Sequence, residues 1–135
     1  MPPAADPAPN SVDPTPEQLA RFAATPETGP VVMINLLAFA GPDGAERYQR
    51  YGTAAMPLLE QAGARVLLNA AATQTVIGDG TRPWWDAIVV VEYPSHGAFL
   101  AMVSSPGYAE ILPIRSGALT RAELIATAPA AGFER

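Results

Sequence analysis

The chain contains no cysteine and one histidine, His96. The first absence excludes disulfides, thiolate nucleophiles and zinc–thiolate sites; the second argues against any metal centre needing two imidazoles from one chain. Positive charge is also scarce. Eight Lys+Arg against 13 Asp+Glu leave a formal net charge of −5, and the cations are scattered, so nucleic acid and anionic membrane are poor partners. No apolar run approaches the roughly 18 residues of a membrane-spanning helix. The opening MPPAADPAPN has neither the basic n-region nor the apolar h-region of a secretory leader. A soluble, cytoplasmic protein without metal or cofactor is the expectation. GPDGAE (Gly41–Glu46) is a turn entering a helix, not a phosphate cradle.

What remains is an ordinary globular balance: 135 residues, 49% hydrophobic and 16% charged, enough for one domain with a core. Eight of the 15 prolines fall in the first 30 residues, so residues 1–13 read as an extended arm. Thr15-Pro16-Glu17-Gln18 carries an N-cap, a first-turn proline and the partner of a capping box, predicting a short helix to about Ala24. Val31–Phe39 (VVMINLLAF) is apolar on both parities apart from Asn35, as expected of a strand covered on both faces. A helix from about Gly44 to Gln61, capped by Asp43, ends at the signal Gly63. Arg65–Ile77 and Trp85–Tyr93 read as strands; Ser95 caps a helix to about Val103, Ser105-Pro106 opens a short helical segment, and Ala122–Thr127 reads as a last strand. The domain spans 14–128, with 129–135 as a tail.

The order β-α-β-β-α-β is the ferredoxin-like arrangement, an α+β fold with helices on one face of a four-stranded antiparallel sheet. Because the strands are apolar on both parities, the open face also requires cover. A second copy, sheet against sheet, is the simplest source, predicting a homodimer.

Polar exceptions on these strands are the candidate site. A buried amide such as Asn35 without a partner costs on the order of 1–3 kcal/mol, so it is bonded to a ligand, to a neighbouring side chain, or to backbone near the short helix around Tyr108–Arg115. Glu92 and Asp86, carboxylates on an apolar strand, could transfer protons or form ion pairs with Arg115 or Arg82. Arg115, alone in ILPIRSGAL, could hold a substrate anion or lock those carboxylates. Trp84 and Trp85 point to opposite faces, for packing or for stacking on a ligand, and Tyr48 and Tyr51 share a helix face. His96, at a helix start, reads as a surface residue. Strand parity places these groups around a small-molecule pocket, provided no bulge reverses a face.

GPVVMINLLAF, RYGTAAMPLLEQAGARVL, WDAIVVVEYPSHGAFLAM and SPGYAEILPIRSGALTRAELIAT, preceded by DPTPEQL, resemble the family catalogued as domain of unknown function 1330. That family resembles the dimeric α+β barrel superfamily. The resemblance implies a homodimer with a pocket between sheet and helices, and matches Asn35, Tyr51, Trp85, Asp86, Glu92, Phe99, Tyr108 and Arg115. Family members often carry a histidine shortly before the arginine; here the segment reads Leu112-Pro113-Ile114-Arg115. Superfamily members include cofactor-free monooxygenases, lactone isomerases, dehydratases and haem-binding enzymes. The expected function is a cofactor-independent acid/base enzyme acting on a small organic molecule, with Glu92, Asp86 and Arg115 catalytic and Asn35, Tyr51, Trp85, Phe99 and Tyr108 binding substrate. The alternative is a non-catalytic binding or assembly module.

Overall fold

The computed structural model describes residues 12–26 and 29–129; the remainder of the expected arm (1–11) and most of the expected tail (130–135) lie outside the described residues. Element order is α1 (Pro16–Ala24), β1 (Val31–Phe39), α2 (Gly44–Gln61), β2 (Arg65–Ala71), β3 (Ala87–Tyr93), α3 (His96–Val103), α4 (Pro106–Ala118) and β4 (Leu119–Thr127). The four strands form an antiparallel sheet in the order β2-β3-β1-β4, the expected ferredoxin-like topology with one added helix at each of two places, α1 and α4.

Local signals account for most boundaries. The Thr15 side chain accepts from Gln18 N while the Gln18 side chain accepts from Thr15 N, closing the capping box of α1. Gly63 adopts φ +74°, and Gly63 N–H donates to Glu60 O and Ala64 N–H to Leu59 O, the paired bonds that let an αL glycine end α2. Ser95 and Ser105 cap α3 and α4 through bonds from Ala98 N and Tyr108 N.

Several expectations require correction. Strand β2 stops at Ala71, opposite Ala87 where β3 begins; residues beyond it lack a strand partner, and 72–86 form a loop closed by Ala72 N to Asp86 O and Thr75 N to Thr81 O. Trp85 and Asp86 precede β3 rather than lie in it. The short helical segment expected after Ser105 is a 13-residue helix, and β4 starts at Leu119 rather than Ala122. Asp43 makes no capping bond and pairs with Arg47 Nε at 3.2 Å. Val12, expected in the extended arm, is buried against Leu37, Ala87, Ala118 and Leu119.

Register fixes the two faces of the sheet. Val31, Met33, Asn35 and Leu37 pair with Tyr93, Val91, Val89 and Ala87 on the helix-covered face. There Val31, Met33, Val91 and Tyr93 pack against Phe99, Met102 and Tyr108 of α3 and α4. Val32, Ile34 and Leu36 pair with Glu92, Val90 and Ile88 on the other face, joined by Leu68 and Ile125. No element of the described chain covers that face, and Leu68 and Ile125 are left exposed.

Candidate functional site

A cavity of about 630 Å³ lies on the helix side, between α1, α3 and α4 and the β1–β4 half of the sheet, within the size range of small-molecule sites. Its walls are largely apolar: Phe22 from α1, Met33 from β1, Phe99 and Met102 from α3, Leu112 from α4 and Leu124 from β4. The polar groups set deep among the elements come from β1, α2 and α4. Asn35 comes from β1, Tyr51 from α2, and Tyr108 and Arg115 from α4. Packing of α2 on α4 brings the two phenols to 2.9 Å oxygen to oxygen, with their rings edge to face.

These groups differ in charge. Burial holds the Tyr51 phenol far above its ordinary value, reinforced by the charge of a Tyr108 phenolate and by the hydrogen bond between them. Burial likewise raises Tyr93 and Tyr48, and in Tyr48 the adjacent Arg115 guanidinium opposes the shift. At neutral pH the site therefore offers neutral phenol donors beside one cation. Arg115 is 6% exposed, the sole buried charged residue among those described. Its Nη1 donates to Val12 O at 2.5 Å and lies 3.7 Å from Asp13 Oδ1.

The structure thus brings together five of the expected residues: Asn35, Tyr51, Phe99, Tyr108 and Arg115. Asn35 is satisfied by protein, as one of the two expectations held, but by its cross-strand neighbour: Nδ2 donates to Val89 O at 3.1 Å. The expected meeting of Asn35, Arg115 and Glu92 does not occur. Glu92 is the register partner of Val32, which puts it on the opposite face from Asn35, where Arg65 Nη2 approaches its Oε1 to 2.6 Å. Asp86 sits at a strand junction. Its Oδ2 accepts from Phe39 N at 2.8 Å, beside the register shift between β1 and β4, and its Oδ1 accepts from Arg82. That backbone donor satisfies a group the irregular ladder would otherwise leave open.

Trp85 also lies outside the cavity, edge to face with the exposed Trp84. The Arg121 guanidinium stacks 3.6 Å above the Trp84 ring and donates to its carbonyl. His96 opens α3 as expected, yet its ring stacks on Phe22 at 4.3 Å and its buried Nδ1 has no partner. Val12 and Asp13 are the contributors that sequence reasoning missed; one apolar residue in a proline-rich stretch was their only signal. Among the described residues no cluster of His, Cys, Asp and Glu suits a metal ion, and no helix is long and apolar enough to cross a membrane.

The model of the domain of unknown function DUF1330 matches residues 40–128. A solved protein of unknown function from Rhodopseudomonas palustris is 35% identical, with 88% of this chain and 96% of that chain covered and a TM-score of 0.78. More distant structures share the fold alone. A dimeric ferredoxin-like protein of unknown function from Thermobifida fusca is 18% identical (75% and 92% covered, TM-score 0.50). A DABB family protein with a ferredoxin-like fold from Mesorhizobium loti is 10% identical (77% and 100% covered, TM-score 0.54). No curated protein matches the chain.

Proposed function

The chain belongs to the DUF1330 family, and we propose that it is a small homodimeric protein that binds a small organic molecule between sheet and helices and polarises an oxygen of that molecule. One observation carries the reading: a buried guanidinium and a hydrogen-bonded phenol pair line the same apolar cavity. Donors of this kind, fixed in a site that excludes water, stabilise negative charge on a carbonyl or enolate oxygen. Asn35 lines the same cavity with its amide nitrogen already tied to β3. Phe99 and Met33 supply apolar wall.

The expected proton-transferring carboxylates, Glu92 and Asp86, are not assigned that task here, since ion pairs and a backbone donor occupy them outside the cavity. Asp13 is exposed at its rim, and Glu123, which borders it on β4, pairs with Leu36 and turns its carboxylate to the other face. That placement favours, as a second reading, binding without turnover. Fold likeness at 10–18% identity selects no reaction.

Dimerisation is inferred from the uncovered face, where Val32, Ile34, Leu36, Ile88 and Val90 form a contiguous apolar surface of the kind that marks association. The dimeric description of the Thermobifida fusca protein supports it. Ile34→Glu, central on that face, should convert a dimer to a monomer in sedimentation equilibrium; a wild-type monomer at micromolar concentration refutes the homodimer.

The functional test is to purify the full chain, identify co-purifying small molecules by mass spectrometry, and incubate each with fresh protein. Saturable binding lost in Tyr51→Phe/Tyr108→Phe supports the site, and product formation decides for catalysis. Binding unaffected by that double variant moves the ligand elsewhere.

A further inference from the structure

We propose that the cavity selects small apolar carboxylates, and that Asp13 stands in for the ligand's carboxylate on Arg115 while the cavity is empty. The inference rests on the pocket reading above and goes on to name its ligand class.

A guanidinium in an apolar wall requires anionic or hydrogen-bonding partners, and Arg115 draws its partners from a segment 103 residues away in sequence. The two partners are held very differently. Val12 is buried in the core beside Leu37 and Ala118, so its carbonyl is a fixed acceptor on Nη1. Asp13 is 42% exposed at the side chain and reaches only ion-pair distance, 3.7 Å. Its two oxygens instead accept from Ser116 Oγ, at 2.8 and 3.1 Å. Asp13 can therefore turn away from Arg115 and keep a partner, whereas Val12 cannot leave without opening the core.

A ligand carboxylate has the advantage that its position is not set by a chain anchored at Val12. It can approach the planar guanidinium squarely and accept two parallel bonds, the geometry in which arginine outperforms other cations. The neutral phenol of Tyr48 lies beside the same guanidinium. Of the charged residues on the helix side of the cavity, Arg21 and Asp13 are exposed at the rim, and only Arg115 is buried. Glu123, the register partner of Leu36, turns its carboxylate to the opposite face of the sheet, so it does not oppose an anion whose head group sits at the Arg115 end. The remaining wall, with Phe22, Phe99, Met102 and Leu124, suits an aromatic or aliphatic body.

The test measures binding of benzoate, phenylacetate, phenylbutyrate and octanoate, each beside its neutral amide, to the full-length protein by calorimetry or ligand-observed NMR. At least one acid should bind about 10–100-fold more tightly than its amide, the range expected of a charge-assisted, bidentate contact. Arg115→Gln should erase that ratio. Asp13→Asn, which keeps an acceptor for Ser116, should strengthen acid binding about twofold to fivefold by removing a partly exposed competing charge, and leave amide binding unchanged. If Arg115→Gln does not fold, Asp13→Asn alone carries the comparison. Equal binding of acids and amides overturns the carboxylate class while leaving the pocket intact. Acid binding that is preferred yet unimproved, or weakened, in Asp13→Asn overturns the stand-in role. Failure of every acid and every amide to bind removes the pocket reading along with this inference.

Discussion

Removing the Tyr51 and Tyr108 hydroxyls singly and together tests whether the phenol pair is one unit. The oxygens lie 2.9 Å apart across α2 and α4, and Tyr108 is 8% exposed. Tyr51→Phe or Tyr108→Phe loses a hydrogen bond worth about 0.5–1.5 kcal/mol and leaves the other hydroxyl short of a partner, at a further cost of about 1–3 kcal/mol where water cannot reach it. The cavity both phenols line admits some water, which places each single variant near 1–2 kcal/mol. The double variant leaves no stranded hydroxyl. Its loss should match one single variant rather than their sum, giving a coupling of about 1–2 kcal/mol. Urea denaturation with a constant m-value is the assay. Additive losses would mean that the phenols are satisfied independently, and the site would lose its shared donor. Lost ligand binding in the double variant under conditions where it remains folded is the functional counterpart.

Three further perturbations probe other parts of the structure. Glu92→Gln breaks an ion pair whose Arg65 side chain is 70% exposed, so chemical denaturation should register about 0–1 kcal/mol and ligand affinity should not move; lost binding would return Glu92 to the site. Gly44→Ala places a methyl 2.8 Å from Ala118 O and 2.9 Å from Phe39 Cβ, and overpacking of about 1–3 kcal/mol should outweigh the gain in helix propensity; a rise in melting temperature would contradict that. Tyr51 and Tyr93 carry phenols raised above their ordinary value by burial. Their contribution to stability is complete below pH 10, the unfolded tyrosine range, and is lost as pH climbs from there towards the folded values. Their phenolate absorbance should appear only as circular dichroism reports unfolding, and ionisation near pH 10 with the fold intact would refute the burial argument.

Features set by neighbours in sequence were legible in advance: the capping box at Thr15–Gln18, the serine caps of α3 and α4, the full span of β1, and the glycine that ends α2. The composition of the cavity was legible in part, since Asn35, Tyr51, Tyr108 and Arg115 stand out by type, Phe99 is matched by the family resemblance, and all five line it. Which face each strand residue occupies was not. Arg65 and Asn69, four apart, share a face by alternation. The register shift between Val66 and Leu68 instead sets Arg65 opposite Glu92 and Asn69 opposite Val89, so a single extra residue separates them. Glu92 was misplaced for a related reason. Its register with Val32 rather than Asn35 is a property of two residues 60 apart in the chain, and no periodicity within either strand carries it. The contact of Val12 and Asp13 with α4 spans still more chain.

Register also explains why β1 is apolar on both parities. As a central strand it is bonded on both edges, so its ladder groups are satisfied wherever its side chains point. Odd-numbered residues from Val31 to Leu37 meet helices, and the even-numbered residues between them meet the uncovered face. A polar group on the even side would face the proposed partner copy and weaken association. On the odd side it faces the core, except where the cavity opens beside Asn35. That position accepts an amide because the Val89 carbonyl across the ladder takes its donor, and because the cavity can solvate what remains. The polar residue in VVMINLLAF is thus confined to the place where the sheet meets the cavity, and the same alternation that keeps Asn35 at the site removes Glu92 from it.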